Sequence, residues 1–101
     1  MDITTETTGD KSRLILQGRF DFNSHNKFSD SYGDILRNMG ISEVEVDMNE
    51  VSYLDSAALG MLLLFNERAK LANKRVALAN CHGMVAQALR LANFTEIFHI
   101  R

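Results

Sequence analysis

At 101 residues, 46% of them hydrophobic and 24% charged, the chain has the size and make-up of one folded domain, well away from disordered or low-complexity polypeptides. Eleven basic against 13 acidic side chains give a formal charge of −2 and a pI near 5.8, which argues against a nucleic-acid footprint. Cys81 is the only cysteine, so a disulfide framework is excluded. The longest nearly unbroken apolar stretch, residues 57–65, is far short of the ~20 needed to span a bilayer.

Residues 2–7 read as a weak first strand. Over 13–20 the pattern alternates, with Leu14, Leu16 and Phe20 on one side and Arg13, Gln17 and Arg19 on the other. Phe28, Tyr32, Ile35, Leu36 and Met39 then recur at helical spacing, and Gly40 stands where such a helix stops. Residues 43–48 alternate more cleanly still, and 49–54 are expected to lead the chain off that strand. Ala58, Met61, Leu62, Phe65, Ala69 and Ala72 mark a second helix, and 74–79 a short strand. Val85, Ala88, Leu89 and Ala92 mark a third helix, with Asn93 as a left-handed cap, and 96–100 closes the chain as a strand. The order β-β-α-β-α-β-α-β suits right-handed parallel crossovers. It predicts one α/β domain over 1–101, with a mixed, mainly parallel sheet of about five strands.

Parallel strands covered on both faces read as continuous apolar runs, whereas one-sided sheets alternate. The helices are therefore expected on one face only. The other face would present Glu43, Glu45 and Asp47, mixed with Arg13 and Arg19, to water, and is a candidate for weak homodimerisation. The N-terminus has no basic-then-apolar leader pattern, and with one unpaired cysteine the expected compartment is the reducing cytoplasm.

Few constellations promise chemistry. His25, His82 and His99 are widely separated, and Cys81-His82 lacks zinc-type spacing, so no metal is expected. Neither Gly-rich phosphate motif occurs, and no cofactor is expected. Ser56 lies at a strand-to-helix junction, as a hydrolase serine does. The flanking residues, Leu54-Asp55-Ser56-Ala57-Ala58, lack the elbow glycines, and no histidine is placed as its base. An enzyme is therefore not expected. Either Asp55 or Ser56 is suited to accept from the free N–H groups of the helix that follows.

The stretch Tyr53-Leu54-Asp55-Ser56-Ala57-Ala58-Leu59-Gly60-Met61-Leu62 resembles the signature of the STAS domain, the family of bacterial anti-sigma factor antagonists. Two further stretches match: Leu16-Gln17-Gly18-Arg19-Phe20-Asp21 is similar to the family's strand ending in Gly-x-Leu-Asp, and 44–51 to the strand leading into the signature. Phe20 replaces the usual leucine, Ala58 stands where the family has glycine, and the chain ends at the last strand without the family's common final helix.

The resemblance implies a partner-switching regulator. Its unphosphorylated form binds a serine kinase or anti-sigma-like regulator, phosphorylation at Ser56 releases that partner, and a serine phosphatase resets it, with transcription or biofilm formation as output. The partner surface is assigned to Asp21, Asn23, Ser24, Asp55, Ser56, Ala57 and Leu59. Asp55 either orients the hydroxyl or caps the helix, and Asp21 either shares the surface or is a turn aspartate. Leu59 is either a contact or core, Ser24 is expected to cap the first helix, and Gly60 to permit close packing against the sheet. The alternative is a constitutive STAS subunit docking the ATPase of a lipid-trafficking ABC transporter. No membrane or nucleic-acid partner is implied.

Overall fold

The expected elements form in the expected order in the computed structural model, which describes residues 1–101. Strands β1 (Asp2–Thr8) and β2 (Lys11–Phe20) make an antiparallel hairpin. Helix α1 (His25–Arg37), β3 (Glu43–Leu54), α2 (Ser56–Leu71), β4 (Arg75–Ala79), α3 (Gly83–Leu91) and β5 (His99–Ile100) follow. The sheet order is β1-β2-β3-β4-β5, and every pairing after the hairpin is parallel. Leu14, Leu16 and Phe20 of β2, Val44, Val46 and Met48 of β3, and Val76 and Leu78 of β4 share one buried cluster with side chains of all three helices. The helices therefore cover a single face, as the alternation predicts.

The centre of the helical layer is aromatic. Phe28 lies 5.0 Å from the ring of Phe20, 5.3 Å from Tyr32 and 5.7 Å from Phe65, and Tyr32 and Phe65 are 4.5 Å apart. These separations fall in the range where ring pairs attract beyond simple burial.

The opposite face departs from expectation. Its carboxylates do not stand in water: Glu45 and Asp47 are only 7% and 8% exposed. The register sets Lys11 beside Glu43 and Arg13 beside Glu45, so cations from β2 lie across the acids of β3. Arg13 Nη2 is 2.8 Å from Asp47, and Arg101 reaches both Glu43 and Glu45 at 2.7 Å. The hydrogen bond from Arg101, joined by the charges of Arg101, Lys11 and Arg75, holds the Glu43 carboxyl below its ordinary 4.5 despite partial burial. For Glu45 burial is the largest single influence and pushes upward. Hydrogen bonds from Arg101 and Lys11, with the charges of Lys11 and Arg13, outweigh it and leave that carboxyl lowered too. A carboxyl depressed in the folded state stabilises the protein above its unfolded value, and that stabilisation is lost as pH falls through the folded value. Urea midpoints are thus expected to fall between pH 6 and pH 3, and Glu43→Gln/Glu45→Gln to flatten that fall. An unchanged slope in the double variant would show that the ladder is electrostatically idle.

Three boundaries differ from the sequence reading. Strand β3 does not stop near 48. It continues to Leu54 because two bulges, opposite 15–17 and 18–19 of β2, absorb the break in its alternation. Each bulge adds a residue on β3, so Met48, Val51 and Leu54 all point into the core although they are three apart. Helix α1 ends at Arg37, where the Asn38 side chain accepts from the Gly40 N–H, leaving Met39 98% exposed and Ile41 in the core instead. At the C-terminus, residues 94–96 form a 3-10 turn, and only His99–Ile100 pair as a strand. Phe94 and Phe98, both buried and 5.3 Å apart, are four residues apart, a helical spacing that an extended strand cannot satisfy. Asn93 adopts the expected left-handed conformation (φ 59°).

Candidate functional site

Two parallel strands deliver the site. Phe20, the last residue of β2, pairs with Leu54, the last of β3, so Asp21 and Asp55 leave the sheet side by side. The second bulge makes this alignment possible, and it falls at Gly18, whose φ of +101° is reserved for glycine. The backbone N–H of Asp55 closes the ladder on the carbonyl of Phe20 at 3.4 Å.

Asp55, in extended backbone, is the N-cap of α2: its Oδ1 accepts from the Ala58 N–H at 2.9 Å. Its Oδ2 accepts from the Phe22 N–H at 3.2 Å. One carboxylate therefore starts the helix and pins the turn after β2 to it. Because Asp55 does the capping, Ser56 is left as the first helical residue, exposed, with its hydroxyl in no intramolecular hydrogen bond. The N–H groups of Ser56 and Ala57 are likewise unpaired, as the first N–H groups of a helix are unless capped. Removing the carboxylate by Asp55→Ala loses a cap contributing about 1 kcal/mol and a second hydrogen bond contributing about 1 kcal/mol. The expected drop is about 2 kcal/mol in guanidinium unfolding, half of it restored by Asp55→Asn. A loss below about 0.5 kcal/mol would mean that the strand ends hold the junction without the carboxylate.

Asp21 caps the 3-10 turn Phe22–Ser24: its Oδ1 accepts from the Asn23 N–H at 3.0 Å, and its own N–H donates to Ser24 Oγ at 3.2 Å. Arg19 lies 3.6 Å from Asp21 and stacks over Tyr53, its guanidinium 4.0 Å from the ring centroid. Ser24 corrects the sequence reading. It makes no side-chain cap on α1, is only 4% exposed, and donates to the carbonyl of Arg19, so it supports the turn from below and presents nothing at the surface. Asn23 is exposed, and Asp21 and Ala57 are half-buried. Leu59 is half-buried and packs against the core, so it serves packing and surface together.

Gly60 corrects a second expectation. A Cβ there would meet nothing within 4 Å, so the glycine is not needed for close packing. It borders an open groove of about 700 Å³ between α1 and α2, walled by Phe22, Tyr32, Met61, Leu64 and Arg68. Phe22, 75% exposed, is the surface residue the sequence reading missed. Its signal was an aromatic directly after the strand-ending Asp, where the alternation no longer requires an apolar side chain. Ala58, in place of the family's glycine, is fully buried, so the core accommodates its methyl group.

The other reactive side chains stand apart. Burial, helped by the negative charge of Asp47, pushes the Cys81 thiol up to about 11, leaving it protonated and unreactive at neutral pH. His82 Nε2 is 2.7 Å from the carbonyl of Asn49, tying the start of α3 to the first bulge of β3.

The chain belongs to the STAS-domain family: the family model described as "Mlab, STAS domain" matches residues 3–100. A STAS-domain containing protein of Pseudomonas aeruginosa (strain UCBPP-PA14) is 39% identical over 102 residues, covering 99% of both chains. Among solved structures, the anti-sigma factor antagonist SpoIIAA in its unphosphorylated form superimposes with a TM-score of 0.75 at 13% identity, over 99% of this chain and 87% of that one. A putative anti-sigma factor antagonist from Thermotoga maritima gives 0.86 at 19% identity, over 97% and 84%. An anti-sigma factor antagonist from Mycobacterium paratuberculosis gives 0.86 at 14%, over 98% and 83%. The fold is that of the anti-sigma factor antagonists.

Proposed function

We propose that this protein is a reversible binding switch whose unphosphorylated form holds a serine kinase or anti-sigma-like regulator, and whose phosphorylation at Ser56 releases it until a phosphatase resets the site. Asp21, Asn23, Asp55, Ser56, Ala57 and Leu59 form the contact surface, with Ser24 supporting it from beneath. The observation that carries this reading is the division of labour at the start of α2. Asp55 caps the helix, so the neighbouring hydroxyl stands exposed and uncommitted. A phosphate there adds about −1.5 to −2 charge beside two unpaired N–H groups and the positive end of the helix, which the fold tolerates. The same charge stands beside Asp55, and a partner surface shaped for a neutral hydroxyl would have to bury it. SpoIIAA, whose fold this chain shares, has been solved in an unphosphorylated and a phosphorylated form. The reading places the protein in the cytoplasm, with transcription or biofilm formation as output, and assigns it binding rather than catalysis.

The test is intact-mass measurement and peptide mapping of the protein purified from its native cells. A fraction heavier by one phosphate, mapped to Ser56, is expected, and phosphate confined to other residues would overturn the assignment. The Mlab description of the matching family model favours a second reading, in which the same surface docks the ATPase of a lipid-trafficking ABC transporter constitutively. That reading requires Ser56 to be unmodified in cells and the protein to co-purify with a membrane-associated ATPase.

A further inference from the structure

A second concave site lies at the opposite end of the sheet, where β3 and β4 begin at Glu43 and Arg75. Strand β5 pairs only with Ala77 and Leu78, so the start of β4 has no strand neighbour on that side. The notch left there, about 440 Å³, is bordered by the second half of α2, the start of β4 and the segment entering β5.

Its composition is unlike the rest of this acidic chain. Lys70, Lys74, Arg75 and Arg101 line it against a single carboxylate, Glu43. Two of these cations are already committed. Lys74 Nζ donates to the carbonyls of Asn38 and Ile41 at 2.8 Å each, and Arg101 is paired with Glu43 and Glu45. Lys70 and Arg75 are exposed and enter none of the ion pairs of the protein. The negative end of α2 does not oppose them, because the N–H groups of Ala72, Asn73 and Lys74 already bond the carbonyls of Arg68, Ala69 and Lys70.

An independent observation comes from Asn66, one helical turn before Lys70. It lines the notch, is only 7% exposed, and its amide makes no hydrogen bond to any protein group, meeting solvent only through the notch. An amide so enclosed and without a protein partner is left to bond whatever occupies the notch, water or a ligand. Two unpaired cations around a partnerless donor match a compact, doubly charged acceptor. We infer that this notch binds the phosphate group of a small molecule, with Asn66 donating to its oxygens, Lys70 and Arg75 neutralising it, and Val76 and Ile97 forming an apolar wall beside it.

The test is a titration followed by ¹⁵N–¹H correlation spectra at constant ionic strength, with inorganic phosphate and glycerol 3-phosphate as probes and sodium chloride as control. Saturable shifts are expected at the Asn66 side-chain amide and the backbone amides of Lys70, Arg75 and His99. Lys70→Ala/Arg75→Ala should weaken binding at least tenfold. Asn66→Leu should abolish binding without lowering Tm in phosphate-free buffer, since the amide bonds no protein group. Equal affinity for the two probes would assign the site to the free anion, and tighter binding of the ester would assign it to an organic phosphate using the apolar wall. Shifts that never saturate, a double variant that titrates like the parent, or an Asn66→Leu variant with lowered Tm would each overturn the inference.

Discussion

Ser56→Asp is expected to weaken binding of the regulator held by the parent protein by thirtyfold or more, while Ser56→Ala binds within about threefold of the parent. The magnitude follows from placing a charge in an interface built for a neutral group. Such mispairing costs about 2–5 kcal/mol, and each 1.4 kcal/mol is tenfold. Aspartate carries one charge where a phosphate carries nearly two, so the substitution belongs at the lower end of that range and authentic phosphorylation at the upper. Stability should move the other way or not at all. The new carboxylate sits on the first residue of α2, where the helix dipole favours an anion by about 0.3–1 kcal/mol. Titration calorimetry with the purified regulator, alongside thermal melts of both variants, separates the two effects. Equal affinities for Ser56→Ala and Ser56→Asp would sink the gating. A large loss of Tm in the aspartate variant would reassign Ser56 to a structural role.

The largest effect on stability is expected at Phe28. Its ring is 1% exposed and touches Phe20 of β2, Tyr32 of its own helix and Phe65 of α2, so it joins both helices to the sheet. Phe28→Ala removes that burial and leaves a cavity among rigid aromatic neighbours that cannot collapse into it. Such truncations cost about 3–5 kcal/mol, a large share of the roughly 5–15 kcal/mol that holds a domain folded. For a chain of this length the corresponding fall in Tm is on the order of 20 °C. Phe28→Leu keeps most of the volume and should recover more than half of the loss. A loss under 1 kcal/mol for the alanine variant would show that the helical layer repacks freely. The effect reaches the site as well, because the turn Phe22–Ser24 runs directly into α1. Phe28→Ala should therefore weaken regulator binding at temperatures where the protein remains folded.

Much of this architecture was visible in the order of residues. Alternation at 13–20 and 43–48 placed the two central strands and left one face of the sheet without helices. The three- and four-residue spacing from Ala58 to Ala69 placed α2. Asp55-Ser56 marked its start from side-chain chemistry alone, and Asn93 marked the end of α3. The departures have separate causes. Continuation of β3 through 49–54 depends on bulges against β2, and a bulge breaks the very period by which a strand is recognised. The final segment is apolar enough to suggest a strand, but Phe94 and Phe98 are spaced for a helical turn, and that spacing prevails. Ser24 bonds back to Asp21 and Arg19 rather than forward into α1, and Gly60 faces an open groove rather than the sheet, so their residue types alone did not fix their roles.

What the amino-acid order determined by itself was everything governed by short-range periodicity and local hydrogen bonding: the elements, the apolar face of each, and a polar pair opening the central helix. Tertiary structure alone decided which distant groups meet. Parallel pairing of β2 with β3 set Asp21 beside Asp55, and let one carboxylate bridge the Phe22 and Ala58 N–H groups. It also drew Arg13 and Arg101 over the acids of β3, and left Asn66 facing a notch with two unpaired cations. The physical reason is range. Helix and strand preferences act over a few residues, whereas a charge or a hydrogen-bond donor responds to whatever the fold brings within a few ångströms, however far away in the chain it began.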